Sequence, residues 1–173
     1  MNTYSTASFR TLGNAATAQN LFTILNTGTS RTVRIKKVEF SMDATVVLTA
    51  VSPLVYLCRI AAASGGTALN KVSLGQEQSS PKVEARGATA SGGGAATAIT
   101  ATPGVTLWQA FCMRLHTAVG QVLGTPSQLI PDDNGVELAP GQGILVHIVA
   151  AAAGSNPATN HYSVSCLWEE IGA

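Results

Sequence analysis

The sequence predicts an all-β protein: an antiparallel β-sandwich, jelly-roll-like, with an extended N-terminal arm and a long Gly/Ala/Thr-rich excursion. Three observations point there. Short apolar runs rich in β-branched residues recur along the chain, and Gly, Pro and Asn turn signals separate them. No segment carries a convincing helical period over three or four turns. At 173 residues one domain is the default, and a chain of this size buries roughly 70% of its unfolded surface.

Residues 1–19 are small and polar, with Ser5, Thr6, Ser8, Thr11, Asn14 and Thr17, and only Tyr4, Phe9 and Leu12 as sizeable apolar anchors. This composition predicts an extended arm ahead of a single sandwich domain over 20–173. The run 20–26 (NLFTILN) reads as a strand ending at the turn-rich 26–30. In 31–42, Val33 and Ile35 share one parity, whereas Val38, Phe40 and Met42 share the other. That slip at Lys36-Lys37 is what a β-bulge produces, because one extra residue flips every later side chain. Residues 45–51 and 54–62 read as further strands, the second apolar on both faces.

After Ser64-Gly65-Gly66-Thr67 the texture changes, and 85–104 approaches low complexity. Both flanks are strand-like, so 64–104 is an excursion from one domain, with a weak hairpin expected between 71–74 and 82–85. A loop this long inside a compact domain is usually functional or disordered. Residues 106–117 (TLWQAFCMRLHT) alternate as a strand, although Leu107, Ala110, Phe111, Arg114 and Leu115 also fit a helical face; the neighbouring Thr-Pro-Gly favours the strand. Pro131-Asp132-Asp133-Asn134-Gly135 suggests a hairpin joining 129–130 to 136–138.

Ala139-Pro140-Gly141-Gln142 has Pro at i+1 and Gly at i+2, the chemistry of a type II turn. It feeds 143–153, apolar on both parities, so both faces of that strand are expected to meet protein. Ile144, Val146 and Ile148 are the expected core set, facing Val164, Cys166 and Trp168 of the last strand. That last strand, 160–170, alternates cleanly, with Tyr162, Val164, Cys166 and Trp168 on one side.

Charged residues are 11% of the chain, against about 25% in typical soluble domains. The net charge is +1 and the longest apolar run, 143–153, contains His147 and is too short to span a bilayer as a helix. A chain with so little charge is expected to be covered by other copies or partners. No nucleic-acid partner is expected, since the basic excess for phosphate neutralisation is missing. The one basic cluster, Arg31, Arg34, Lys36 and Lys37, reads as the solvated face of a strand. Met1-Asn2-Thr3-Tyr4 opens with neither the basic nor the apolar region of a secretory signal. Cys58, Cys112 and Cys166 lie in apolar runs without metal-ligand spacing, and fit free buried thiols in a reducing compartment.

No motif for catalysis or a cofactor emerges. There is no nucleophile elbow, phosphate-binding loop, zinc helix or dinucleotide fingerprint. His116, His147 and His161 lack ligand spacing, and Asp132-Asp133-Asn134-Gly135 lacks the alternation of a calcium loop. Glu169 and Glu170 are adjacent on a strand, and so face opposite ways.

Several phrases occur together and in order: 20–26 with Gly28 and Arg31-Thr32-Val33-Arg34-Ile35; Ser64-Gly65-Gly66-Thr67-Ala68-Leu69; Leu138-Ala139-Pro140-Gly141-Gln142-Gly143; and Trp168-Glu169-Glu170. In that combination the chain resembles small jelly-roll-like structural proteins of tailed bacteriophage virions, which include capsid decoration (cement) proteins. The resemblance implies a non-enzymatic virion protein, made in the host cytoplasm, that forms a homo-oligomer, often a trimer, and binds the major capsid protein or another virion protein. It implies no cofactor, no direct nucleic-acid contact and no membrane. Leu145, His147 and Val149 are then candidates for a subunit interface. Tyr4, Phe9, Arg10 and Leu12 on the arm, with Arg86 on the excursion, are candidates for lattice contacts. The alternative is a receptor- or glycan-binding sandwich on a phage tail or fibre, for which Trp108, Tyr56 and Tyr162 are the available aromatics. A small β-barrel enzyme or metal-dependent cupin would have only His147 as a seed.

Overall fold

The structure, a computed structural model, describes residues 2–12, 19–44, 54–75, 81–88, 98–111, 127–128, 135–148 and 160–172. The strands in chain order begin with β1 (Asn2–Leu12), β2 (Gln19–Asn26), β3 (Thr32–Ala44), β4 (Leu54–Ile60) and β5 (Ser64–Gly65). There follow β6 (Thr67–Ala68), β7 (Val72–Ser73), β8 (Val83–Gly87), β9 (Ile99–Thr100) and β10 (Thr106–Phe111). The last are β11 (Ser127–Gln128), β12 (Val136–Leu138), β13 (Gly143–Ile148) and β14 (Asn160–Ile171). No helix occurs among the described residues.

Two six-stranded antiparallel sheets make a sandwich. The first runs β11-β3-β14-β1-β7, with β12 also on β3, and the second runs β10-β4-β13-β2-β8-β6. One contiguous core lies between them. Tyr4, Val33, Ile35, Val38, Phe40, Tyr162, Val164, Cys166 and Trp168 come from the first sheet. Phe22, Ile24, Val55, Leu57, Val83, Ala85, Ile144, Val146 and Ile148 come from the second. Alternation puts every second side chain inward, and each large one buried removes about 1.5–3 kcal/mol of apolar exposure. The set expected on β13 and the set expected on β14 both lie in this one core.

The phase slip in β3 is a bulge. Leu167 pairs with Lys37 and Trp168 with Ile35, which leaves Lys36 without a partner in the β14 ladder. Val33 and Ile35 before it, and Val38 and Phe40 after it, thereby all reach the core. A second bulge sits in β2, where Val146 pairs with Phe22 and His147 with Asn20, so Leu21 is the extra residue. The type II turn also forms: Gly141 has φ +78° and the Gln142 N–H donates to the Ala139 carbonyl at 3.0 Å.

Buried Asn26 clamps this turn to the end of β2. Its amide donates to the Arg31 and Leu138 carbonyls at 2.8 and 2.9 Å, and its Oδ1 accepts from Gly28 N–H at 3.0 Å. Main-chain bonds join Asn26 to Gln142 and Gly141 as well.

Two expectations are corrected. The N-terminal segment is not an arm over 2–12: it is β1, paired along its whole length with β14 and at Tyr4-Ser5 with β7. Its inward residues, Tyr4, Thr6 and Ser8, are buried, yet two of them are hydroxyls, so no apolar alternation announces the strand. Residues 72–73 and 83–87 do not form a hairpin; β7 joins the first sheet and β8 the second. The hairpin expected between 129–130 and 136–138 falls on 129–134, which lie outside the described residues. β11 and β12 both lie along β3, with Ser127 opposite Phe40 and Val136 opposite Ile35. Residues 106–111 are strand, paired with β4. The expected strand at 45–51 and the turns at 131–134 and 155–157 fall outside the described residues.

Candidate interaction surface

The outer face of the second sheet was expected to meet a partner subunit. The chain covers it with its own excursion. β5 pairs with β9, and this small ribbon with the following 101–105 forms a strap over the sheet. Gly66 N–H donates to the Ala98 carbonyl, Gly104 N–H to the Arg59 carbonyl, and Arg59 N–H to the Val105 carbonyl. Asn20 Nδ2 donates to the Ile99 and Ala101 carbonyls, both at 3.0 Å, and Arg86 Nη1 to the Gly65 carbonyl at 2.7 Å. At Gly66, φ is +65° and a Cβ would collide with the Ile99 side chain and the Gly87 carbonyl, so only glycine lets the ribbon lie this close.

Leu145, Thr23, Cys58 and Ile99 are all buried on this side. Leu145 is 0% exposed in the single chain and offers a partner nothing. The doubly apolar strand is thus covered by intramolecular packing, which corrects its assignment to a subunit interface. His147 is half-buried and its Nδ1 lies 2.7 Å from Asn20 Oδ1. Because the Asn20 amide nitrogen serves two carbonyls, its oxygen must accept, and Nδ1 carries the hydrogen. Burial pulls the His147 pKa below its ordinary value. Val149 lies outside the described residues.

The expected lattice contacts fare similarly. Tyr4 is in the core, stacked on Trp168 with centroids 5.7 Å apart, so it is corrected from contact to core. Phe9, Arg10 and Leu12 lie on β1 opposite Ser163, Tyr162 and Asn160, and their side chains are outside the described set. Arg86 holds the strap through Gly65 and pairs with Glu84, so it is engaged within the chain. Of the aromatics for glycan stacking, Tyr162 is buried and Tyr56 half-buried, while the Trp108 side chain is not described.

The basic cluster is neutralised in place. Arg31 bridges Glu170 at 3.4 Å, Arg34 Glu137 at 2.6 Å, Lys36 Glu169 at 3.9 Å and Lys37 Glu39 at 2.6 Å. The Lys37 ammonium, with help from Ser165, holds the Glu39 carboxyl below the usual carboxylate range, against a smaller opposing effect of burial. Glu169 and Glu170 do face opposite ways. Glu170 is buried at the end of the core, where it also accepts from the Lys82 N–H at 2.6 Å. Cys58 and Cys166 are free and buried, and burial raises both thiol pKa values, which disfavours the reactive thiolate. Among the described residues no three His, Cys, Asp or Glu side chains gather as a metal site.

The open surface is on the other sheet. A groove of about 430 Å³ runs over the outer face of β3, β14, β1 and β7. Ser5, Ala7 and Leu167 lie along it, Lys37 and Glu39 close one side, and Val72 the other. Val72 and Leu74 stand beside it, 55% and 58% exposed. Ser73 is opposite core-facing Tyr4, so alternation turns Val72 and Leu74 outward, and a bond from Leu74 N–H to the Thr3 carbonyl extends the ladder. Sequence reasoning missed this face. Its signal was the alternation Val72-Ser73-Leu74, hidden inside a polar, glycine-rich excursion. Comparison of the chain with protein-family models, curated proteins and solved structures finds no match.

Proposed function

We propose that this chain is a non-enzymatic structural protein of a virion, a decoration protein that binds and stabilises a capsid lattice. The observation that carries the proposal is the open outer face of the first sheet. It pairs a groove lined in part by Ala7 and Leu167 with two exposed aliphatic side chains, while Arg34, Lys36 and Lys37 on this face are paired with Glu137, Glu169 and Glu39. A surface of that kind suits protein contact, in which apolar anchors supply affinity and a balanced polar rim excludes water. The phrase-level resemblance to small phage virion proteins supports the same reading, as does a charge content of 11%.

The test is made on particles. Particles assembled with and without this chain are heated, or exposed to chaotrope, and intact capsids are counted. The decorated particles should survive conditions that open the bare ones. Equal survival, or failure of the chain to co-sediment with particles, overturns the proposal.

A further inference from the structure

We infer that the outer face of the first sheet is the contact between two copies of this chain, docked face to face about a twofold axis. The inference rests on the reading of this face as a protein contact and gives that contact to a second copy, the lattice being met by the other surfaces of the dimer. Two properties of the face select a second copy as its occupant. The first is charge. Arg34, Lys36 and Lys37 are balanced by Glu137, Glu169 and Glu39, so the described face carries no net sign for a charged partner to recognise. Both signs are nonetheless present in fixed order, with Lys37 and Glu39 two residues apart on the same side of β3. A twofold rotation reverses that order and can set Lys37 of each copy opposite Glu39 of the other, which is electrostatic self-complementarity.

The second property is shape. The groove and the projecting pair Val72 and Leu74 lie side by side on one face. An isologous contact needs both halves on one patch, because what one copy inserts it must also receive. Here the aliphatic pair of each copy enters the groove of the other. By contrast Val105, 72% exposed, lies beside Arg59 of the second sheet, away from this groove.

The full chain is examined by native mass measurement and sedimentation at micromolar concentration. The wild type should run as a dimer. The double variant Val72→Asp/Leu74→Asp changes only exposed positions and should keep its circular dichroism while dimer affinity falls roughly 100-fold or more. Val105→Asp should remain dimeric. Lys37→Glu and Glu39→Lys should each weaken self-association, whereas an equimolar mixture of the two should form a heterodimer, since the exchanged charges match across the axis. A monomeric or trimeric wild type, a dimer indifferent to the double variant, a dimer broken by Val105→Asp, or a mixture that fails to pair overturns the inference. A monomeric wild type that still protects particles would remove the twofold contact and leave the decoration role standing.

Discussion

His147 and Asn20 form the joint between the second sheet and its strap, and the tautomer of His147 decides what that joint does with pH. The imidazole donates from Nδ1, so a proton arriving at Nε2 leaves the bond to Asn20 in place. Protonation acts instead through desolvation, which disfavours the cation in the folded state. Across the sheet His147 sits opposite Tyr56 on β4 and Asn20 on β2, and neither brings a carboxylate to offset that cost. The folded pKa is therefore below the unfolded one. Above the unfolded value the ring is neutral in both states and its contribution is complete. As pH falls below that value, the unfolded chain takes up the proton first and stability drops, until the folded pKa is passed. Urea midpoints compared between about pH 7.5 and about pH 5.5 should fall more for the wild type than for His147→Gln. Identical shifts would mean that His147 is neutral to folding. Taking the difference between the two proteins removes the common contribution of His116 and His161.

At the scale of elements, the strap is tied to the sheet through its own main-chain carbonyls. Asn20→Ala removes the donor to Ile99 and Ala101 and leaves β2, β4 and β13 paired. Asn20 makes two bonds to the strap and one to His147, and at about 1 kcal/mol for each one lost their removal is enough for local opening without global unfolding. Cys58 reports on that opening, because it is buried on the strap's side of β4, while Cys166 is in the core and serves as the control. In a Cys112→Ala background, a thiol reagent should label Cys58 several-fold faster in Asn20→Ala than in the parent, with Cys166 unchanged. Equal rates at Cys58 would show that the strap does not depend on Asn20. The same strap explains what the sequence could and could not disclose. The bulge at Lys36, the turn at Pro140-Gly141 and the face of β14 were legible, because apolar periodicity or a required φ writes them into residue type. The covering of Leu145 was not legible, because its agents are the carbonyls of Gly65, Ile99 and Ala101, which every residue possesses. The sequence did register that the second face of β13 must be covered; only the coverer was misassigned. Val72 and Leu74 escaped notice for the opposite reason, since two apolar residues with no long periodic run around them look like part of a loop.

For the molecule as a whole, the decisive pairing is the longest in sequence. Residues 2–12 lie against residues 160–170, with Asn2 opposite Glu170 and Leu12 opposite Asn160, and β1 is an interior strand between β14 and β7. The first sheet cannot close until both ends of the described chain are present. Such non-local closure costs loop entropy before contacts repay it, and it places folding in the slow, millisecond-to-second range of β-sandwiches. It also separates β1 from an arm by experiment. A dispensable arm could be deleted and leave a folded sandwich. Deleting residues 1–12 instead removes Tyr4 from the face of Trp168 and takes Thr6 and Ser8 from the core wall. It leaves β14, with buried Val164, Cys166 and Trp168, as a long open edge, the arrangement that invites aggregation. The shortened chain should therefore lose the near-ultraviolet signal of its packed aromatics, unfold without a cooperative transition and aggregate at concentrations where the full chain stays in solution. A soluble, cooperatively unfolding product would mean that β3 and β14 close the sandwich alone and that β1 is an accessory to the sheet.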